Sequence, residues 1–132
     1  ATDSKVYQDA MKLYYDRHVC RNKAKSKRRS LIKNLHGNRV YEHMWGASEF
    51  SATGILKNYD KVSQLEKIGC PTLFICGEHD EARPKTAKQY AKTIPDADFV
   101  EIKNASHAIL AEKPSKLIKT IRHFVTRIDI NK

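Results

Sequence analysis

Ile68-Gly69-Cys70-Pro71-Thr72-Leu73-Phe74-Ile75-Cys76-Gly77-Glu78-His79-Asp80-Glu81 is the stretch on which the reading of this chain turns. Leu73 to Cys76 is a short apolar run of β-forming residues, opened by Pro71 and stopped by Gly77. Proline is tolerated at a strand's first position because its missing N–H lies outside the ladder. A run this short, bounded by Pro and Gly, reads as a strand buried on both faces. The chain then turns out at the strand's carboxyl edge, the edge at which open α/β sheets carry ligands and catalytic groups. Asp80 and Glu81 therefore stand where chemistry is expected, with solvated turn residues as the plainer alternative.

Downstream, Arg83-Pro84 suits the first turn of a helix through Ala87, Tyr90 and Ala91, which Ile94-Pro95-Asp96 ends. Asp98 to Ile102 alternates as a second strand, left through Asn104-Ala105-Ser106-His107. A last helix, about 115–128, aligns Leu117, Ile118, Ile121, Phe124, Val125 and Ile128 on one stripe. Upstream, Asp60 caps a helix through Val62, Leu65 and Ile68 that feeds the Pro71 strand. Helix, strand, helix, strand, helix implies parallel strands joined by a right-handed crossover.

The first part differs in character. Ser4 caps a helix running to Val19, a second helix is expected over 26–35 before His36-Gly37-Asn38, and a third over 40–45. Gly46 breaks the third, and 47–54 reads as a loop of small residues. Of the net charge of +10, residues 1–41 hold +8, from eleven Lys/Arg against three Asp. The densest run, Lys23-Ala24-Lys25-Ser26-Lys27-Arg28-Arg29, can touch nucleic acid or an acidic surface. No base-stacking aromatics interleave it, so nucleic acid is not an expected partner and a solvated face is the plainer reading.

Composition excludes other classes. No apolar run approaches the ~18 residues of a membrane span, and no membrane partner is expected. No signal-peptide pattern opens the chain. Cys20, Cys70 and Cys76 are an odd set without zinc or redox spacing, which favours a reducing, cytoplasmic setting. No metal or cofactor is expected. Ala1 in place of Met suggests a processed or cut chain.

Asp80 leaves one strand and His107 the next, with one helix between them. Parallel strands send both residues to the same edge, about 4.8 Å apart, within reach of an Asp–His hydrogen bond. A carboxylate that holds one imidazole nitrogen fixes the tautomer and stabilises the imidazolium formed when the other takes a proton. The order Asp then His near the C-terminus is that of an acyl-transfer triad whose serine precedes both. That serine is missing: no Gly-x-Ser-x-Gly occurs, Ser106 is poorly placed beside His107, and Ser48 and Ser51 lack an elbow.

The residues also carry a resemblance. Tyr14-Tyr15-Asp16-Arg17-His18-Val19-Cys20-Arg21, Met44-Trp45-Gly46-Ala47-Ser48-Glu49-Phe50 and Thr53-Gly54-Ile55-Leu56-Lys57-Asn58-Tyr59-Asp60 resemble proline iminopeptidases of the α/β-hydrolase fold. So do Pro71-Thr72-Leu73-Phe74, Gly77-Glu78-His79-Asp80-Glu81, Ser106-His107 and Glu112-Lys113-Pro114. The match runs over nearly the whole chain and corresponds to the C-terminal half only. It implies a helical cap portion at 1–59 and the C-terminal part of the α/β-hydrolase core, a parallel β-α-β-α unit, at 60–132.

What the resemblance implies for function is specific. Asp80 is expected as the triad acid and His107 as the base. Glu49 and Glu81 are expected to bind the free α-ammonium of a peptide that begins with proline, since two carboxylates can neutralise one cation and fix the next bond. Trp45, Phe50 and Tyr59 are candidates for an apolar wall round the proline ring, or for packing. Glu78 and His79 read as turn residues, and His18 and Cys20 as packing. A serine aminopeptidase incomplete without its N-terminal half is the expectation, with that half or a second copy as partner. The alternatives are an inactive half-domain binding through its basic cap, or a hydrolase of esters or epoxides, against which the two glutamates argue.

Overall fold

The computed structural model describes residues 4–22, 38–46, 50 and 52–130. The basic run 23–29, the helix expected over 26–35, and Ser48, Glu49 and Ser51 lie outside the described residues.

Two parallel strands form the centre. β1 (Thr72–Gly77) pairs with β2 (Ala97–Ile102) in the register Thr72↔Ala97 through Gly77↔Ile102. Thr72 N–H donates to the Asp96 carbonyl (2.9 Å), so the ladder begins one residue after Pro71, which has no N–H to offer. α3 (Pro84–Thr93) makes the crossover, with Pro84 in its first turn as the sequence suggests, and packs on both strands. Past β2, the short α4 (Ile109–Glu112) precedes α5 (Pro114–Ile130), which packs on β2 and α4.

Side chains alternate across the sheet with period two. The core holds Ile102, Ala105 and Ile109, with Ile75, Val100 and Leu117 packed against it. Phe74 and Cys76 border a cavity with Thr86, Ala87 and Tyr90 of α3. The exposed Asp98–Arg127 pair, at 2.5 Å, bridges β2 and α5, and within α5 the Arg127 guanidinium stands 5.5 Å from the Phe124 ring centre.

Burial departs from the sequence reading in two places. β1 is buried only at Cys76 and Gly77, and Thr72 to Ile75 are half-buried. Among the described residues β1 pairs on one side with β2 alone, and no described strand covers its other edge as one would for a central strand. The apolar stripe of α5 is also split: Leu117, Phe124 and Ile128 are half-buried, while Ile118, Ile121 and Val125 are 44, 43 and 48% exposed. Two strands are too narrow a surface to cover so wide a stripe.

The upstream segment follows its signals with changes. The hydroxyl of Ser4 caps α1 (Lys5–Tyr14), accepting Tyr7 N–H at 3.3 Å. The helix does not continue regularly to Val19; Tyr15–Val19 is a π-helical turn closed by Cys20 N–H to the Tyr15 carbonyl at 3.0 Å. α2 (Asn38–Met44) ends before Gly46, whose φ of +90° is the left-handed conformation that glycine adopts freely. Asp60 Oδ1 accepts Val62 N–H at 2.9 Å, but the cap position falls on Lys61 and Val62–Lys67 is a 3₁₀ helix rather than the expected α-helix. Among the described residues no helix is long and apolar enough to cross a membrane.

Candidate active site

The turn after β1 and the loop after β2 are zipped together by backbone hydrogen bonds. Glu78 N–H donates to the Ile102 carbonyl (3.0 Å) and His79 N–H to the Ala105 carbonyl (2.9 Å). Gly77 permits this approach: a Cβ there would lie 2.5 Å from the carbonyl oxygens of Ala105 and Ser106. The glycine therefore serves close packing as well as ending an apolar run. Asn104 turns the second loop with a φ of 56°, which asparagine tolerates, and donates its N–H to Glu78 Oε2 at 2.9 Å. That hydrogen bond, with Lys103 nearby, holds the Glu78 carboxyl below its ordinary value.

Asp80 is 6% exposed, and each of its oxygens is satisfied. Oδ2 accepts Gly77 N–H at 3.1 Å, and Oδ1 accepts Ala82 N–H at 2.9 Å. Oδ1 also lies 3.0 Å from Nδ1 of His107. A carboxylate only accepts, so the shared hydrogen resides on Nδ1 and leaves Nε2 as the basic nitrogen. The His107 side chain is 46% exposed, against 4% for that of Asp80. The pair thus has a buried acid and an accessible base, the arrangement that lets an imidazole exchange protons with a bound reactant.

Glu81 stands beside the imidazole, Oε1 3.8 Å from Nε2. Phe50 meets α1 edge-on, its ring centre 5.2 Å from Tyr14 and 6.1 Å from Tyr15. Trp45, Phe50 and Tyr59 are 36, 43 and 65% exposed, so none of the three rings is enclosed. Glu49 lies outside the described residues. Asp80, His107 and Glu81 are thus brought together.

Two further nucleophile candidates, Ser106 and Cys76, are occupied or shielded. Ser106 is fully buried, and its hydroxyl donates to Glu112 at 2.9 and 3.0 Å from the two carboxylate oxygens. Cys76 is 2% exposed, and burial, with the Asp80 and Glu101 charges, pushes its thiol up to about 11. A thiol so raised is protonated at neutral pH and unreactive.

Two residues escaped the sequence reading. His18 reads from the sequence as packing, and the structure adds hydrogen bonds to it: its Nδ1 lies 2.9 Å from the His79 carbonyl, and its own carbonyl accepts His107 N–H at 2.9 Å. Glu112 accepts from both Ser106 and the chain at 21–22. Its sequence signal was slight: Glu112-Lys113-Pro114 stands just after His107 and formed part of the resemblance.

Comparison with known proteins bears on the sequence and the fold. No protein-family model matches the chain. A proline iminopeptidase of Heyndrickxia coagulans is 33% identical over 130 residues, 96% of this chain and 44% of that protein. A proline iminopeptidase of Saccharolobus solfataricus is 31% identical over 123 residues, 92% of this chain and 40% of that protein. The crystal structure of the Mycobacterium smegmatis proline iminopeptidase superposes with a TM-score of 0.85 at 30% identity, covering 98% of this chain and 44% of the other. An α/β-hydrolase enzyme from a lagoon-sediment metagenome, MGS-MChE2, shares the fold alone, at 23% identity and a TM-score of 0.53 over 96% of this chain and 48% of that one. The chain spans less than half the length of the proline iminopeptidases it matches. In sequence and in fold, it is a homologue of the C-terminal part of the proline iminopeptidases, built on the α/β-hydrolase architecture.

Proposed function

We propose that this chain supplies the acid and base of a serine aminopeptidase that releases N-terminal proline from peptides, with the nucleophile carried by an N-terminal portion or a second chain. Residues 1–59 form part of the cap in this reading, and 60–132 the C-terminal part of the hydrolase core. The observation that carries it is the buried Asp80 carboxylate 3.0 Å from Nδ1 of a half-exposed His107.

In the proposed reaction, Nε2 of His107 takes the proton of an attacking serine hydroxyl while Asp80 stabilises the imidazolium. The serine oxygen bonds to the prolyl carbonyl carbon, and His107 returns the proton to the departing amine. Water then cleaves the acyl-enzyme with His107 again as base. Glu81, 3.8 Å from Nε2, stands where a bound prolyl ammonium reaches a carboxylate, and Glu49 is its proposed companion on the grounds of resemblance. Trp45, Phe50 and Tyr59 remain the proposed wall for the proline ring, to be closed by the rest of the protein.

The β1 edge that no described strand covers and the exposed Ile118, Ile121 and Val125 fit a surface that the N-terminal portion, or a second copy, covers. Three free thiols fit a reducing compartment such as the cytoplasm. The test is hydrolysis of a fluorogenic N-terminal proline amide, with a fluorophosphonate label as control. The chain alone is expected to show neither turnover nor label, and to gain both when a nucleophile-bearing N-terminal portion is added. Turnover with a labelled serine inside these 132 residues would overturn the proposal.

A further inference from the structure

We infer that Glu112 is a positioning residue: its one carboxylate clamps the 18–22 segment onto the loop that carries His107, and so holds the base against Asp80. Hydrogen-bond donors converge on it from two distant parts of the chain. Oε2 accepts Ser106 N–H at 2.6 Å, and both oxygens accept the Ser106 hydroxyl, at 2.9 and 3.0 Å. Oε1 also accepts Asn22 N–H at 3.2 Å and the N–H of Arg21. Ser106 is the residue immediately before His107, and it has no exposed surface.

The clamped segment reaches the pair from both sides. The carbonyls of His18 and Val19 accept the N–H groups of His107 (2.9 Å) and Ala108 (2.8 Å). The His18 imidazole, through Nδ1 at 2.9 Å, donates to the carbonyl of His79, the residue before Asp80. One segment therefore grips the acid's turn through the His18 side chain and the base's loop through its backbone. The π-helical turn Tyr15–Val19 ends there, and the carbonyls of His18 and Val19 are open to these donors because the last carbonyls of a helical segment have no following N–H to pair with.

The chemistry demands a carboxylate. Three backbone N–H groups and the Ser106 hydroxyl face Glu112, so an amide in its place sets an NH₂ against N–H groups and halves the acceptor capacity offered to the buried Ser106. Burial pushes the Glu112 carboxyl up, but the hydrogen bonds from Ser106, Arg21 and Asn22 outweigh it and hold the group below its ordinary value. The charged acceptor is thus the form present at neutral pH.

The clamp itself stands on geometry, while its catalytic meaning rests on the function proposed above. The test reads the His107 side-chain nitrogens by long-range ¹H–¹⁵N NMR in the full 132-residue chain, together with amide exchange. The unaltered chain is expected to show a single Nδ1–H tautomer. Glu112→Gln is expected to give mixed tautomers, and exchange about tenfold faster at Ser106, His107 and Ala108, as local opening allows, with the β2 amides unchanged. If Glu112→Gln does not fold, Ser106→Ala, which deletes one donor, is expected to shift the same signals less. An unchanged His107 tautomer in whichever variant folds overturns the clamp. Hydrolysis by the complemented enzyme that survives His107→Ala sinks the catalytic reading and leaves the clamp standing.

Discussion

The imidazole of His18 lies 2.9 Å from the carbonyl of His79, 61 positions away in the sequence, so the turn bearing Asp80 is held from outside the sheet. Tyr14 backs this imidazole, ring centres 5.1 Å apart. His18→Ala should remove a partly buried hydrogen bond and cost about 1–3 kcal/mol. Urea unfolding of the two proteins measures it. An unchanged midpoint would show that the acid's turn holds itself.

Gly77→Ala should be costlier than an ordinary glycine substitution within a strand. The added methyl meets the carbonyl oxygens of Ala105 and Ser106 at 2.5 Å, and both belong to backbone that cannot rotate away. Overpacking of this kind costs about 1–3 kcal/mol and pushes the two loops apart. A lower melting temperature together with a disturbed His107 tautomer is the expected result.

In an enzyme completed with a nucleophile, Asp80→Asn should reduce kcat on the order of 10⁴-fold, because an amide no longer fixes the Nδ1–H tautomer. The comparison needs binding held constant, so kcat and KM are measured separately. A loss confined to KM would remove Asp80 from the role of acid.

Acid should loosen the clamp at Glu112. Its carboxyl titrates lower in the folded chain than its ordinary value of 4.5, so its contribution is present above that value and is lost as pH falls through the lowered one. Melting temperature followed from pH 7 downward should fall in that acid window. Glu78, also lowered, contributes in the same direction, so Glu112→Gln should flatten the fall without abolishing it.

The three thiols should separate by reactivity at neutral pH. Cys70 is exposed, whereas Cys20 and Cys76 are buried and Cys76 is raised to about 11. A chromogenic disulfide reagent should modify Cys70 first and reach the other two only on unfolding. Equal rates at Cys70 and Cys76 would contradict the burial of β1's carboxyl end.

Local residue chemistry by itself determined the elements and their direction. Pro71 and Gly77 bracket β1, Ser4 caps α1, Pro84 opens α3, and a single intervening helix obliges Asp80 and His107 to leave parallel strands at one edge. Those signals act within a few residues, through lost N–H groups, capping oxygens and apolar spacing, so they are legible without a fold. Tertiary structure alone decided the π-helical turn, the grip of His18 on His79, the donors gathered at Glu112 and the split stripe of α5. Each depends on a partner far away in the chain. A buried carboxylate and an exposed isoleucine look alike in sequence until the surface opposite them is in place.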